Sequence, residues 1–279
     1  MRSTCLAIMF LAMPGAASAT DWTLELSGGL AALADQGSQP FVAASLSRDL
    51  GAWRLRGELA SFDGGGEADA MALLPAETQQ ATIGASYATG ALLIDLHASL
   101  GRRRFDPLVR DAQSGRTVRV EAEGGLFTLG GSLTLDAPLS AGWAAAPFVS
   151  ASYSAVGTVR TLLPPVGAPL VDERTEKGAT GTIGATIARD WSGGSLGLYV
   201  AGAATSNRAS ANRQGGAALA ARVPRLLAGD DESDAWFEYG LSGSLALSET
   251  VSLDAAVIRT IGFADGETTS FSTGLRIAF

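Results

Sequence analysis

Thr268-Thr269-Ser270-Phe271-Ser272-Thr273-Gly274-Leu275-Arg276-Ile277-Ala278-Phe279 ends the chain, and its reading decides the fold. Phe271, Thr273, Leu275, Ile277 and Phe279 alternate with Ser270, Ser272, Gly274, Arg276 and Ala278. A period of two is that of a strand with one apolar face. The preceding segment repeats it, with Val251, Leu253, Ala255 and Val257 set against Ser252, Asp254 and Ala256. Before that, Phe237, Tyr239 and Leu241 alternate with Trp236, Glu238, Gly240 and Ser242.

Carried towards the N-terminus, the same template predicts strands near 21–33, 38–49, 52–62, 79–89, 91–101, 119–135, 144–156, 178–190, 194–205, 234–248, 250–262 and 268–279. Twelve is an even number, and one face of these strands is aliphatic or aromatic while the other is small, polar or charged. That division fits a lipid-facing exterior around a polar lumen. The fold class expected is therefore all-β: a single transmembrane antiparallel β-barrel of about 12 strands. A soluble β-sandwich also has many strands, but its strands run about 5–6 residues. Barrel closure also removes the sheet edges that lipid cannot satisfy.

The connections carry a second signal. Short turns fall at Asp49-Leu50-Gly51, Ala88-Thr89-Gly90, Asp136 to Gly142, Asp190 to Gly194 and Ser248 to Thr250. Long connections fall at 63–78, 102–118, 157–177 and 206–233, and each follows an odd-numbered strand. All of them therefore lie on one side, as the external loops of bacterial barrels do. Trp22, Trp53, Trp143 and Trp191 fall near the opposite, periplasmic end, where an aromatic girdle is expected.

Residues 1–19 read as a secretory signal peptide: Arg2, an apolar run from Cys5 to Met13, a break at Pro14, and small residues Ala17-Ser18-Ala19 for cleavage. Residues 20–279 are then the barrel with its external loops, exported through the periplasm to the bacterial outer membrane. Cys5 is the only cysteine, so disulfides and thiolate metal sites are not expected after cleavage. Mean hydropathy is +0.21 with 35 glycines, yet no stretch after residue 19 is apolar enough for a membrane helix. Hydrophobicity is spread by alternation instead. The net charge of -8 argues against nucleic acid as a partner and disfavours general attraction to anionic lipid.

Ser272-x-Gly274-x-x-Ile277-x-Phe279 resembles the β-signal by which the barrel assembly machinery recognises outer-membrane substrates. With the strand count and Pro147-Phe148-Val149-Ser150-Ala151-Ser152-Tyr153, the chain resembles the β-domain of autotransporters over essentially all of residues 20–279. The resemblance implies a barrel fold, outer-membrane lipid as surroundings and the assembly machinery as partner. Such β-domains normally follow a secreted passenger and a helical linker. Here the first strand begins two or three residues after the expected cleavage site, so only fold and assembly route are carried over.

Chemistry is sparse. His97 and Ser99 form a His-x-Ser pair like that of barrel lipid hydrolases. Leu92, Ile94, Leu96, Ala98 and Leu100 take the lipid face, however, which turns the pair into the lumen. Gly193-Gly194-Ser195-Leu196-Gly197 fits a nucleophile-elbow pattern, but that motif requires a strand before it and a helix after it. With one histidine and no cysteine after cleavage, neither a metal nor a cofactor is expected.

Alternation sends Glu25, Arg54, Arg56, Glu58, Asp95, His97, Glu238, Asp254 and Arg276 inward. Barrel closure places Arg276 between the strands of Asp254 and Glu25. These charges read either as a selectivity lining or as a self-neutralising ion-pair network. Ala217 to Leu227, in the longest external loop, reads as a short helix over the pore or as a surface loop. Three functions follow: a non-enzymatic small-solute channel or structural surface protein, a membrane-embedded lipid hydrolase, and a module whose external loops bind a surface ligand.

Overall fold

The computed structural model describes residues 21–33, 37–63, 77–105, 108–111, 117–140, 142–164, 167–207, 232–264 and 267–279. The expected signal peptide and the Ala217–Leu227 segment lie outside the described residues. Fourteen strands are formed: β1 (Trp22–Leu33), β2 (Gly37–Leu50), β3 (Trp53–Asp63), β4 (Glu77–Thr89), β5 (Leu92–Arg104), β6 (Leu108–Asp111), β7 (Thr117–Leu135), β8 (Ala137–Ser140), β9 (Trp143–Leu163), β10 (Leu170–Trp191), β11 (Gly194–Thr205), β12 (Asp234–Ala246), β13 (Val251–Ile261) and β14 (Thr268–Ala278). All strands except the short β6 and β8 form a closed ring of twelve in which chain neighbours pair antiparallel.

Closure is made by β14 on β1, in register from Thr23 opposite Ala278 to Leu33 opposite Thr268. At the base of this seam Trp22 and Phe279 exchange backbone hydrogen bonds of 3.2 and 3.0 Å. The short turns follow from glycine: Gly51 and Gly90 open the two-residue turns after β2 and β4 at φ 69° and 57°. These are the backbone angles that tight hairpins require and that side chains with a Cβ resist.

Alternation divides the wall. The outer face carries exposed apolar side chains such as Leu59, Ile83, Leu96, Leu100, Ile183 and Leu196, the surface that lipid covers. Trp22, Trp53, Trp143 and Trp191 stand exposed on that face at the end where both chain termini of the barrel meet.

Two expected connections are largely strand. The segment 157–177 belongs mostly to β9 and β10, which pair from Leu162–Leu170 down to Trp143–Arg189. Within 102–118, β5 continues to Arg104, and β6 pairs with the start of β7. The expected turn at Asp136 to Gly142 also contains β8, paired with the start of β9. A search for one apolar face misses such extensions, because above the membrane both faces of a strand are wet and no alternation is imposed. β7, β9 and β10 run 19, 21 and 22 residues, where about 9–11 suffice to cross the hydrocarbon. At about 3.3 Å per residue, the surplus carries this side of the wall on the order of 25 Å beyond the membrane.

Candidate functional site in the barrel lumen

The inward charges gather towards the periplasmic end, beginning at the closure seam. Arg276 lies opposite Glu25 in register, with its Nε 3.1 Å from Glu25 Oε1. Gly274 faces Asp254 across β13 and has no side chain, so Arg276 also reaches Asp254, with Nη2 3.1 Å from Oδ2. Ser45 donates to the other Glu25 oxygen at 3.3 Å. The seam of the barrel is thus tied by one cation between two acids.

A second group spans β3 to β5. Asp95 accepts a 2.7 Å hydrogen bond from Ser86. It stands 4.0 Å from Arg56 and 3.5 Å from Nδ1 of His97. The imidazole of His97 lies against Gly130 of β7, where a Cβ would come within 2.8 Å of Nε2. Arg54 is held by Asp49, directly across the β2–β3 hairpin, through Nε at 2.5 Å and Nη2 at 2.9 Å. Glu58 sits in register between Ser45 and Thr82, and its Oε2 has no hydrogen-bond partner among the described residues.

The external half of the lumen differs in exposure and chemistry. Phe41 and Phe62 stack with ring centroids 6.1 Å apart, and Phe148 and Tyr199 stack at 5.9 Å. With Ala31, Ala43, Ala60, Ala201, Ala256 and Ile258 they form one apolar cluster along the inner wall. Glu238, 1 % exposed, accepts from Trp236 Nε1 at 2.7 Å and from the Tyr199 hydroxyl at 3.1 Å. Opposite the aromatic arc runs a rung of hydroxyls: Thr82 to Ser99 at 2.9 Å and Thr128 to Ser154 at 3.2 Å, with Ser99 and Thr128 neighbours in register.

The structure places all nine inward-predicted charges inside the lumen and brings together Glu25, Asp254 and Arg276, and separately Arg56, Asp95 and His97. Arg54 instead belongs with Asp49. Glu238 stands apart, among aromatic donors. Asp49, Arg103, Glu176 and Tyr199 also face inward and were not singled out from sequence. Asp49 falls within an expected turn, although it lies opposite Arg54. Arg103 and Glu176 lie on strand extensions within the expected connections 102–118 and 157–177; continuing Asp95, His97, Ser99, Gly101 by one step of two finds Arg103.

In the C-terminal motif, Ser272 is buried against the inner wall and donates to the Ala256 carbonyl at 3.5 Å, whereas Phe279 is exposed at the periplasmic end. Ser99 is 1 % exposed, faces the lumen and is bonded to Thr82, so its hydroxyl is not presented to lipid. The Gly193–Gly197 stretch is a turn leading into β11 and lacks the strand-to-helix geometry of a nucleophile elbow. Among the described residues, no group of three or more His, Cys, Asp or Glu side chains is placed to hold a metal ion.

A closed twelve-strand wall with an apolar exterior, a polar and charged interior and its termini at one end defines a transmembrane barrel of the bacterial outer membrane. The chain belongs to the autotransporter β-domain family, whose profile matches residues 61–257. Its fold is similar to the translocator domain of the autotransporter NalP from Neisseria meningitidis, at a TM-score of 0.63 and 11% identity, covering 94% of this chain and 90% of that one. It is likewise similar to the β-domain of the Bordetella autotransporter Brka, at a TM-score of 0.60 and 16% identity, covering 94% of this chain and 100% of that one. No curated protein sequence matches the chain.

Proposed function

We propose that this protein is a non-enzymatic, structural outer-membrane barrel of the translocator type, whose lumen is shut on the external side by its own side chains. The observation that carries this reading is the asymmetry of the inner wall. Phe41, Phe62, Tyr199, Trp236 and Glu238 are buried in the external half. Glu25, Arg56, Glu58, Asp95 and Arg276, nearer the periplasm, are only partly buried, although their partners Asp254 and His97 are buried. An eight-strand barrel is just filled by its side chains, whereas barrels of 16–18 strands hold an aqueous channel. At twelve strands, large aromatic side chains are what an occluded lumen needs.

A small-solute channel is the second reading, favoured by the charged, partly exposed periplasmic vestibule. Mixed signs there give little selectivity for either ion sign. The hydrolase reading is weakened by the lumen-facing, hydroxyl-bonded Ser99. The C-terminal strand, zipped along β1, is the segment expected to engage the barrel assembly machinery.

Single-channel recording of the refolded protein in a planar bilayer tests the proposal. A silent barrel that begins to conduct in the F41A/Y199A double variant is expected. Steady conductance of the unmodified protein would replace the structural reading with the channel.

A further inference from the structure

The outer wall carries the same pair of residues twice. Trp22 at the start of β1 lies opposite Arg48 of β2, and Trp143 at the start of β9 lies opposite Arg189 of β10. In each case the guanidinium stands over the indole, 5.1 Å from the ring centroid for Arg48 and 5.8 Å for Arg189. A second tryptophan flanks each site. Trp53 is two residues before Leu55, which lies opposite Arg48 on β3, and Trp191 is two residues beyond Arg189 on the same face. These four are the exposed tryptophans of the barrel; Trp236 lies inside.

The pairing of the two arginines sets them apart. At the external end the outward Arg102, Arg104, Arg119 and Arg259 each face a carboxylate: Glu123, Glu77, Glu121 and Glu267. Neither Arg48 nor Arg189 has an ion pair or side-chain hydrogen bond among the described residues, and both are exposed. The indole lies against the guanidinium, whose N–H groups have no hydrogen-bond partner among the described residues. That fork matches two oxygens of a phosphate, and tryptophans of this kind sit at headgroup depth. The protein's net charge of -8 gives anionic lipid no general attraction, so a bound headgroup has to be held locally.

We propose that Arg48 with Trp22 and Arg189 with Trp143 are two binding sites for anionic phospholipid of the periplasmic leaflet, each clamping one headgroup phosphate. The β1–β2 and β9–β10 hairpins are six wall strands apart in a ring of twelve, so the sites face opposite directions. Two lipids held there fix the depth of the barrel on both sides.

Native mass spectrometry of the refolded protein, released from micelles containing dioleoylphosphatidylglycerol, tests this. Two retained lipids are expected for the unmodified barrel, one for R48Q or R189Q, and none for the double variant. Heat-modifiable gel mobility identifies the folded fraction of every sample. Two lipids retained by the folded double variant would overturn the proposal, as would none retained by the unmodified barrel. Equal retention of dioleoylphosphatidylcholine would overturn the assignment to an anionic headgroup.

Discussion

The guanidinium of Arg276 lies 3.1 Å from the carboxylate of Glu25, joining residues 251 positions apart at the two strands that close the barrel. The same side chain reaches Asp254 at 3.1 Å on its other side. The ring is therefore sealed at its periplasmic end by charge as well as by backbone hydrogen bonds.

Arg276→Ala leaves two acids facing one another at this seam. A loss of about 2 kcal/mol is expected, below the range for fully buried pairs because Arg276 and Glu25 keep 23% and 20% of their side-chain surface exposed. The folded, fast-migrating band on unboiled gels should disappear at a lower temperature, and Glu25→Gln in the same background should restore part of the difference. Unchanged heat resistance in R276A would remove the seam cluster from the account of stability.

Phe41, 1 % exposed, packs on Phe62 and lies against Gly29 of β1. Phe41→Ala should cost about 3–5 kcal/mol, as deletion of a buried ring does. Gly29→Ala is also expected to destabilise, by about 1–3 kcal/mol, because its Cβ would fall 2.7 Å from the Phe41 ring and 2.1 Å from the Phe271 carbonyl. Denaturant unfolding followed by tryptophan emission measures both; a neutral G29A would mean that both the Phe41 ring and the β14 backbone at Phe271 can give way.

Glu238 accepts hydrogen bonds from Trp236 and Tyr199 in a buried setting. Glu238→Ala strands both donors, at about 1–3 kcal/mol for each unsatisfied group, whereas Glu238→Gln keeps an acceptor and should lose less. The two variants should therefore separate in unfolding midpoint. Equal midpoints would point to loss of charge, and not of hydrogen bonds, as the cause.

Ser99→Ala removes the hydroxyl that bonds Thr82. It should leave phospholipid turnover at background, the same as the unmodified barrel, and cost about 1 kcal/mol of stability. Fatty acid released by the unmodified protein and abolished in S99A would restore the hydrolase reading.

Much of this barrel is legible in the residues. Alternation places strands, and it assigns Glu25, Arg54, Asp95 and Asp254 to the lumen without any knowledge of their partners. It fails where its physical cause lapses: Thr158, Val159 and Glu176 lie on strands that rise above the membrane, where no apolar face is required. Asp49 was hidden in a turn because its role depends on the residue directly across the hairpin.

The sequence by itself determined the number of wall strands, the sense of each, the side on which the long connections fall and the face taken by side chains within the membrane-crossing stretches, because all of these follow from a period of two and from the length needed to cross lipid. Only the tertiary structure decided which inward groups meet. Arg276 holds two acids while Glu58 Oε2 has no hydrogen-bond partner among the described residues, and Trp22 shares the outer face with Arg48 while Trp236 turns inward to Glu238. Those neighbours are set by the register of adjacent strands and the closure of the ring, which no single strand's pattern contains.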